Sequence, residues 1–432
     1  MTSRKTTPLI YPRNLSIFIM SMVLSYSISA QSLPEQTTEP NVKTVQLFRS
    51  GWEMSEPVIM LASDEQLTLS FDEFGPDAKQ YYYSIVHLDA QNNVSRLAPS
   101  EYLAGFPHTP IDDYSYSFNT TRNYTHYKAT FPNDDLKILK SGNYAIIVYK
   151  DYEVDDPIFV RHFKVTEQKV SISPELRFPM KGQFRDTRQQ INLRISHPEL
   201  TIRNPQQEVK VIVTQNGRTD NLVDNIKPDF VRSGELVYEY QDVLLFEGGN
   251  EFRWLDIRST RFIAEHIQKI FFADPYYQVL LKNDFIRWNL PYFRKDDTNG
   301  KYVVSVREYD NAETDADYLF VHFTLPLEAP LPDGDIYVMG ELTDWRFDKT
   351  NKMHYNIETK SYELTLLLKQ GFYNYLYAFM PRDGRKADLS ITEGNHSVTD
   401  NDYHVFVYFR GPSDYYDRLI GYTTFNSKNG IK

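Results

Sequence analysis

The sequence predicts an all-β protein with three consecutive immunoglobulin-like or early-set β-sandwich domains after a signal peptide. Two observations support this fold class. Apolar and polar residues alternate over short runs along most of the chain, and glycine, proline and asparagine separate those runs. No stretch has the periodicity of an amphipathic helix of several turns. Short alternating runs at this spacing are typical of antiparallel sandwiches.

The clearest alternation lies in residues 362–379. Every second position is apolar in residues 362–368 and aromatic in residues 373–379. Gly371 lies between the two runs and is free to adopt positive φ. The pattern therefore predicts a β-hairpin that turns at residues 369–371.

The first 30 residues are predicted to be a secretory signal peptide. A basic start is followed by an apolar run over residues 15–26 and by small residues before a cleavage site between Ala30 and Gln31. A membrane anchor, the alternative, needs about 20 apolar residues, and this run is shorter and interrupted by serines. We therefore expect an exported chain with no transmembrane segment after cleavage.

Composition restricts the classes of function. The chain has 432 residues, no cysteine and a formal net charge of −11. Without cysteine it has no disulfides, no thiol nucleophile and no Cys-ligated zinc. Nucleic-acid binding needs clustered lysine and arginine that release counterions from phosphates, and the sequence has no such cluster. These features argue against a nucleic-acid partner.

Turn-rich boundaries divide the chain. Residues 31–41 are polar and contain two prolines, which predicts a disordered lead-in. The strand pattern then predicts a first sandwich over residues 42–166 and a second over 167–312. A third, early-set-like sandwich is predicted over residues 316–425.

Candidate catalytic and metal-binding residues are few. His396 and His404 form the nearest pair among ten histidines, with Asp400 and Asp402 between them, and such a group could bind a metal. No zinc-protease motif, nucleophile elbow or phosphate loop is present. The acidic doublets, such as Asp296–Asp297, are typical of solvated turns. We predict no catalytic, cofactor-binding or metal-binding residues, no cofactor and no small-molecule ligand.

One predicted strand is unusually rich in charge. Arg253, Asp256 and Arg258 follow a glycine turn and alternate with apolar residues. Buried charges need partners, so these three are predicted to pair with one another or with nearby backbone. Their predicted role is structural.

Residues 338–345, with the sequence VMGELTDW, resemble the glycogen-binding early-set modules of starch-active enzymes. In those modules a tryptophan at the position of Trp345 and a second one after a hairpin stack on glucose rings. The corresponding loop here, residues 381–386, has no tryptophan. Trp345 is therefore expected to be a core or corner residue, since fold does not fix function. A periplasmic carbohydrate-binding or glycan-active protein is the alternative function.

Ordered motifs along the chain carry a second resemblance. They are EYLAGF at 101–106, IDDY at 111–114, SFNT at 117–120, YTHY at 124–127, FPND at 131–134, SGNY at 141–144, GNEFR at 249–253, DIRS at 256–259, LLLKQG at 366–371 and YYDRLIG at 415–421. In this order they resemble the Plug protein family of the bacterial type IX secretion system, over about residues 42–422.

The resemblance to the Plug family implies a function. It implies a non-enzymatic periplasmic protein, peripherally associated with the outer membrane, that occludes the periplasmic mouth of the outer-membrane translocon when no cargo is passing. The implied partner is the translocon barrel. The sequence leaves the partner-binding residues unknown.

Overall fold

The computed structural model of the protein describes residues 32–151, 153–154, 156–384 and 386–429. The predicted signal peptide and its cleavage site at Ala30 and Gln31 lie outside these residues. Within them nearly all of the regular secondary structure is β-strand, which confirms the all-β prediction. The α-helices of the described part are single turns, namely α1 (Pro99–Tyr102), α2 (Pro205–Glu208) and α3 (Ala312–Asp315), and the other helical turns are 3₁₀.

The first sandwich comprises residues 32–166. Its strands are β1 (Gln36–Thr37), β2 (Val42–Arg49), β3 (Val58–Met60), β4 (Leu67–Phe74), β5 (Tyr81–Leu88), β6 (Leu103–Gly105), β7 (Thr109–Ile111), β8 (Asp113–Tyr116), β9 (Tyr124–Phe131), β10 (Leu136–Ile138), β11 (Gly142–Lys150) and β12 (Phe159–Thr166). One sheet has the order β1-β12-β11-β5-β7, with β3 beside β12, and the facing sheet has the order β2-β4-β9-β8, while β6 and β10 pair separately with each other. Aromatic residues fill the space between them, with Phe71 stacked on Tyr127 at 4.9 Å between ring centroids.

The described part of the predicted lead-in is ordered against the first sandwich. β1 pairs with β12, and the Glu35 carboxylate accepts a hydrogen bond from the backbone N–H of His162 at 2.6 Å. The imidazole of the same histidine lies 2.8 Å from the carbonyl oxygen of Leu33. This differs from the predicted disorder of residues 31–41. The polar side chains and backbone of this segment suggested solvation, but they instead form hydrogen bonds with the outer edge of β12.

The second sandwich begins with six strands. They are β13 (Ser171–Arg177), β14 (Arg188–Ser196), β15 (Val209–Gln215), β16 (Phe230–Arg232), β17 (Glu235–Tyr238) and β18 (Leu245–Glu247). Five of them form one sheet in the order β13-β14-β17-β16, with β18 beside β14. β15 belongs to the facing sheet, whose other strands come from the end of the chain.

The third sandwich comprises residues 253–381. Its strands are β19 (Arg253–Asp256), β20 (Ile267–Ala273), β21 (Tyr276–Leu281), β22 (Tyr302–Val304), β23 (Tyr318–Pro326), β24 (Gly334–Met339), β25 (His354–Asn356), β26 (Ser361–Lys369) and β27 (Gly371–Pro381). One sheet has the order β20-β21-β23-β26-β25. The facing sheet has the order β19-β27-β22, with β24 beside β27. The core between the two sheets of the third sandwich includes Leu255, Val321 and Tyr375.

The last two strands, β28 (Asp402–Phe409) and β29 (Arg418–Asn426), complete the second sandwich. β28 pairs with β15 from Val209 opposite Phe409 to Gln215 opposite Tyr403. The third sandwich is therefore inserted within the second.

This topology differs from the consecutive domains expected over residues 167–312 and 316–425. Apolar alternation in β28 identifies a strand with a buried face. It carries no information about which distant strand is the partner, and here that partner lies almost 200 residues earlier in the chain.

The hairpin predicted at residues 369–371 is also absent. β26 pairs with β23, whereas β27 pairs with β19, β22 and β24, so the two runs lie in facing sheets. Gly371 does not adopt positive φ. A Cβ atom there would lie 2.5 Å from the carbonyl oxygen of Val303, so close approach of the backbone requires glycine. Two strands with one buried face each can pair edge to edge or pack face to face, and their alternation is the same in both arrangements.

Candidate functional site

A buried ion pair joins the first sandwich to the third. Asp72 Oδ2 on β4 lies 2.6 Å from Lys369 Nζ on β26, and each side chain is 1% exposed. The Tyr318 hydroxyl donates to the same oxygen at 2.6 Å, and His126 Nδ1 lies 2.7 Å from Oδ1. Burial disfavours the carboxylate, but Lys369 and His126 hold the pKa of Asp72 below its ordinary value. The carboxylate therefore stays ionised inside the interface.

The first and second sandwiches share an apolar contact bordered by polar bonds. The Tyr408 hydroxyl on β28 donates to Asn143 Oδ1 on β11 at 2.7 Å, and the Ala90 N–H donates to Asp417 Oδ2 at 3.1 Å. The apolar side chains between them are Val58, Ala90, Ile212, Phe406, Tyr408 and Leu419. Burial of these side chains favours association of the two sandwiches by removing apolar area from water.

All three sandwiches meet at Glu56. Its Oε1 atom lies 2.9 Å from Lys301 Nζ of the third sandwich and 3.6 Å from His404 Nε2 of the second. Lys301 also donates to the carbonyl oxygen of Met54 at 2.7 Å. Burial opposes ionisation of Glu56, but the cations around it, Lys301 first, lower its pKa to about 2. The three sandwiches thus meet at an ionised Glu56–Lys301 pair, with His404 beside it, and burial lowers the pKa of that histidine.

A groove of about 820 Å³ opens at one side of the third sandwich. It is lined by residues from segments 250–258, 264–266 and 282–295, together with Arg307 and Phe372. Its concave lining combines apolar and aromatic side chains with a few converging charged groups, which is the composition expected of a binding site.

The floor of the groove is held by Arg253. Its Nη1 atom lies 2.7 Å from Asp284 Oδ1, and its Nη2 atom lies 3.0 Å from Glu393 Oε2. Burial opposes ionisation of Asp284, but Arg253 holds its pKa well below the ordinary value. Arg287 also pairs with Glu393 at 2.6 Å. These two arginines and two carboxylates compensate one another, so the floor is electrically neutral.

A second set of charges lies at the rim. Asp256 Oδ2 lies 2.6 Å from Arg258 Nη2 and 2.6 Å from Arg307 Nη2, so two guanidinium groups share one carboxylate. The predicted pairing of Asp256 with Arg258 is confirmed. Arg253 instead binds Asp284 and Glu393, which lie far from it in sequence and gave no signal that a local pattern could detect.

Large apolar side chains project around the groove. Phe285 is 65% exposed, Phe293 is 77% exposed and neighbouring Trp288 is 57% exposed. Lys295 Nζ lies 3.9 Å from the centroid of the Trp254 ring, a cation–π contact. Exposed aromatic residues beside cations are the composition typical of a protein-binding surface. The sequence predicted none of these residues as a site, because exposure of an aromatic side chain is not visible in its alternation pattern.

The histidines considered as metal ligands do not converge. The His396 ring packs on Tyr292 at 5.2 Å between centroids, whereas His404 lies at the junction beside Glu56. In the residues that the structure describes, no group of three or more histidine and carboxylate side chains is arranged to hold a metal ion.

One acidic doublet differs from the predicted solvated turn. Asp296 is exposed and pairs with Lys428 at 2.8 Å, as expected for a turn. Asp297 faces inward and accepts hydrogen bonds from the backbone N–H groups of Phe252 and Asn299. Burial raises its pKa to about 7. The residue therefore closes a loop of the third sandwich instead of facing water.

Trp345 lies at a corner of the third sandwich, with φ of 54°. Its ring meets Phe252 edge to face at 6.1 Å. A Cβ atom on Gly300 would lie 2.3 Å from the same ring, so the glycine leaves room for it. The tryptophan packs inside the corner.

The chain is similar to known proteins in two ways. Residues 42–167 match the family model described as the type 9 secretion system plug protein 1st domain. A crystal structure of a hypothetical protein from Parabacteroides merdae is 37% identical, with a TM-score of 0.89, and the match covers 91% of this chain and 99% of that one. No curated protein matches.

The chain belongs to the type IX secretion system plug protein family. It is accordingly a component of the type IX secretion machinery. The family match ends at residue 167, one residue beyond the first sandwich. The groove lies beyond this segment, in the inserted third sandwich.

The α-helices in the described part of the chain are short. Among the residues that the structure describes, no helix is long and apolar enough to span a bilayer.

Proposed function

We propose that the protein is a non-enzymatic periplasmic plug that occludes the periplasmic mouth of the outer-membrane translocon when no cargo is passing. In this proposal it associates peripherally with the outer membrane and acts by steric closure. The family to which the chain belongs supports this role.

The observation that carries the proposal is the junction at Glu56. A stopper must resist deformation, and a chain of three sandwiches on flexible linkers would not. Here Glu56, Lys301 and His404 bring all three sandwiches together, and the buried Asp72–Lys369 pair fixes the first against the third. Removing one partner of a buried ion pair is strongly destabilising, so these contacts oppose separation of the sandwiches.

Occlusion also needs reversible binding. The plug must leave when cargo arrives, so its contact with the translocon must release on the time scale of secretion. Protein interfaces tune such affinities mainly through their dissociation rates. An interface of ordinary size with few anchor residues is sufficient for this behaviour.

Permeability measurements test the proposal. Strains lacking this protein, the translocon, or both are compared for uptake of a large dye or antibiotic, and the translocon is probed for co-purification with the plug. We expect higher uptake than in the wild type in the strain that lacks only the plug. In the strain that lacks both proteins, uptake should equal that of the strain that lacks only the translocon. Equal uptake in all strains, together with a failure to co-purify, would contradict the proposal.

A further inference from the structure

The groove lies at the open seam of the third sandwich. β19 is the end strand of one sheet, and β20 is the end strand of the facing sheet. In the part of the chain that the structure describes, no strand pairs with the outer side of either. Segments next to both strands line the groove. Edge strands with free backbone groups are templates for pairing with another extended chain.

The groove is more basic than the protein that carries it. Six cationic side chains line it against four carboxylates, and a fifth carboxylate, Glu393, pairs with two of these cations at the floor, which leaves one excess positive charge. The whole chain, in contrast, has a net charge of −11. Because Arg253 and Arg287 are compensated at the floor, the excess positive charge lies at the rim. Among the described residues, Lys282 and Lys295 there have no carboxylate within ion-pair distance, and Arg307 shares Asp256 with a second arginine. A partner with carboxylates is complementary to this rim.

The groove also offers apolar anchors. Phe285 and Phe293 are 65% and 77% exposed, and they flank the cationic rim. Large exposed aromatic side chains in concave surroundings are the residues that dominate binding energy in protein interfaces. A fully polar ligand would leave these rings in water. Free edges, a basic rim and exposed rings together describe an extended peptide with both acidic and apolar side chains.

We propose that this groove docks an extended segment of the translocon in which carboxylate side chains alternate with apolar ones. The segment pairs through its backbone with an edge strand of the third sandwich, places carboxylates at Lys282 and Lys295, and covers Phe285 and Phe293. This inference rests on the proposed function, because it takes the translocon as the partner.

Co-purification of the translocon with plug variants tests the inference. Lys282→Glu reverses a charge at the rim, and Phe293→Ser removes an anchor that contributes little to the core because it is mostly exposed. Lys137→Glu on the first sandwich and Tyr415→Ser, 80% exposed on the second, are the matched controls. Each groove variant should reduce recovered translocon about tenfold, as expected for loss of one anchor or charge contact. The controls should recover as much as the wild type.

A labelled peptide separates the chemistry of the groove from the identity of the partner. The probe is a short fluorescent peptide of alternating glutamate and valine with a central phenylalanine, measured by anisotropy. It should bind the wild-type protein, and Lys282→Glu should weaken binding about tenfold. The same peptide with lysine in place of glutamate should not bind. N-methylation of alternate backbone amides should abolish binding, because it removes the donors needed for strand pairing.

The outcomes distinguish the groove from the plugging role. If the wild-type protein recovers the translocon and both groove variants recover it equally well, the docking inference is overturned and the proposed function stands. If the wild-type protein recovers no translocon, and uptake is the same in cells with and without the protein, the proposed function itself is contradicted. Binding of the lysine peptide, or of maltooligosaccharide at the same groove, would also overturn the inference.

Discussion

At the scale of single residues, the buried Asp72–Lys369 pair leads to a prediction about the stability of the folded protein. Lys369→Met leaves a carboxylate with 1% exposure without its main cation. We expect the free energy of unfolding to fall by about 3–5 kcal/mol, because an uncompensated charge stays buried. Urea denaturation of the wild-type and variant proteins measures the change.

Two further variants control this prediction. The double variant Asp72→Asn with Lys369→Met removes both charges and should recover most of the lost stability. Lys360→Met breaks an exposed pair with Glu328 and should leave the urea midpoint unchanged. An equal loss in the Lys369 and Lys360 variants would show that burial of the pair is unimportant.

Glu341 predicts a pH dependence at the same scale. It lies beside Lys301, accepts a hydrogen bond from the Tyr302 N–H, and burial raises its pKa to about 7. The folded state therefore binds this proton more tightly than the unfolded state between the ordinary pKa of 4.5 and about 7. Stability from this group is complete below about pH 4.5 and is lost as pH rises through about 7.

The Glu341→Gln variant measures this effect. The glutamine side chain keeps an acceptor for the Tyr302 N–H and has no proton to lose, so the decrease in unfolding free energy between about pH 5 and about pH 8 should shrink by at most about 3 kcal/mol. Glu358→Gln at an exposed position is the control. An unchanged pH profile in the Glu341 variant would contradict the assignment.

Individual charges were only partly predictable from sequence. The Asp256–Arg258 pair is local, so spacing alone predicted it correctly. Arg253 binds Asp284 and Glu393, and Glu56 meets Lys301, across separations that no local pattern encodes. The prediction of a solvated turn was wrong for Asp297 and right for its neighbour Asp296, because a doublet does not show which of its two side chains points inward.

At the scale of elements, Trp345 tests the corner of the third sandwich. It packs on Phe252 and Gly300 and is half-buried. Trp345→Ala should lower the free energy of unfolding by about 1–3 kcal/mol, less than for a fully buried tryptophan. Maltooligosaccharide titration by calorimetry should show no binding to either protein. Tight binding that disappears in a folded variant would contradict the structural role and support the glycan alternative.

Strand identity was predictable and strand pairing was not. The runs that became β26 and β27 were correctly identified because each has one apolar face. Their arrangement in facing sheets depends on nine residues of pairing between β26 and β23 and on the approach of Gly371 to Val303. Both contacts are long-range and leave no trace in the alternation of the two runs themselves.

At the scale of the whole molecule, the inserted third sandwich decides which pieces of the chain can fold. The core of the second sandwich combines residues 170–246 with residues 403–425. β28 supplies seven residues of pairing to β15, so a fragment that ends before β28 leaves one face of that core open. The all-β class does not depend on this order, which is why the sequence predicted the class and not the topology.

Two fragments test this topology. Residues 167–312, the second domain expected from sequence, should remain unfolded, with a poorly dispersed amide NMR spectrum and no cooperative melting. A chain that joins residues 168–248 to residues 397–429 should fold, because Gly249 and His396 are hydrogen-bonded neighbours and a short linker can connect the two segments. Its spectrum should be dispersed and its melting cooperative, since it contains the whole core between β13 and β29. Cooperative folding of residues 167–312 alone would instead favour consecutive domains. It would also contradict the inserted arrangement of the second and third sandwiches, on which the proposed steric closure depends.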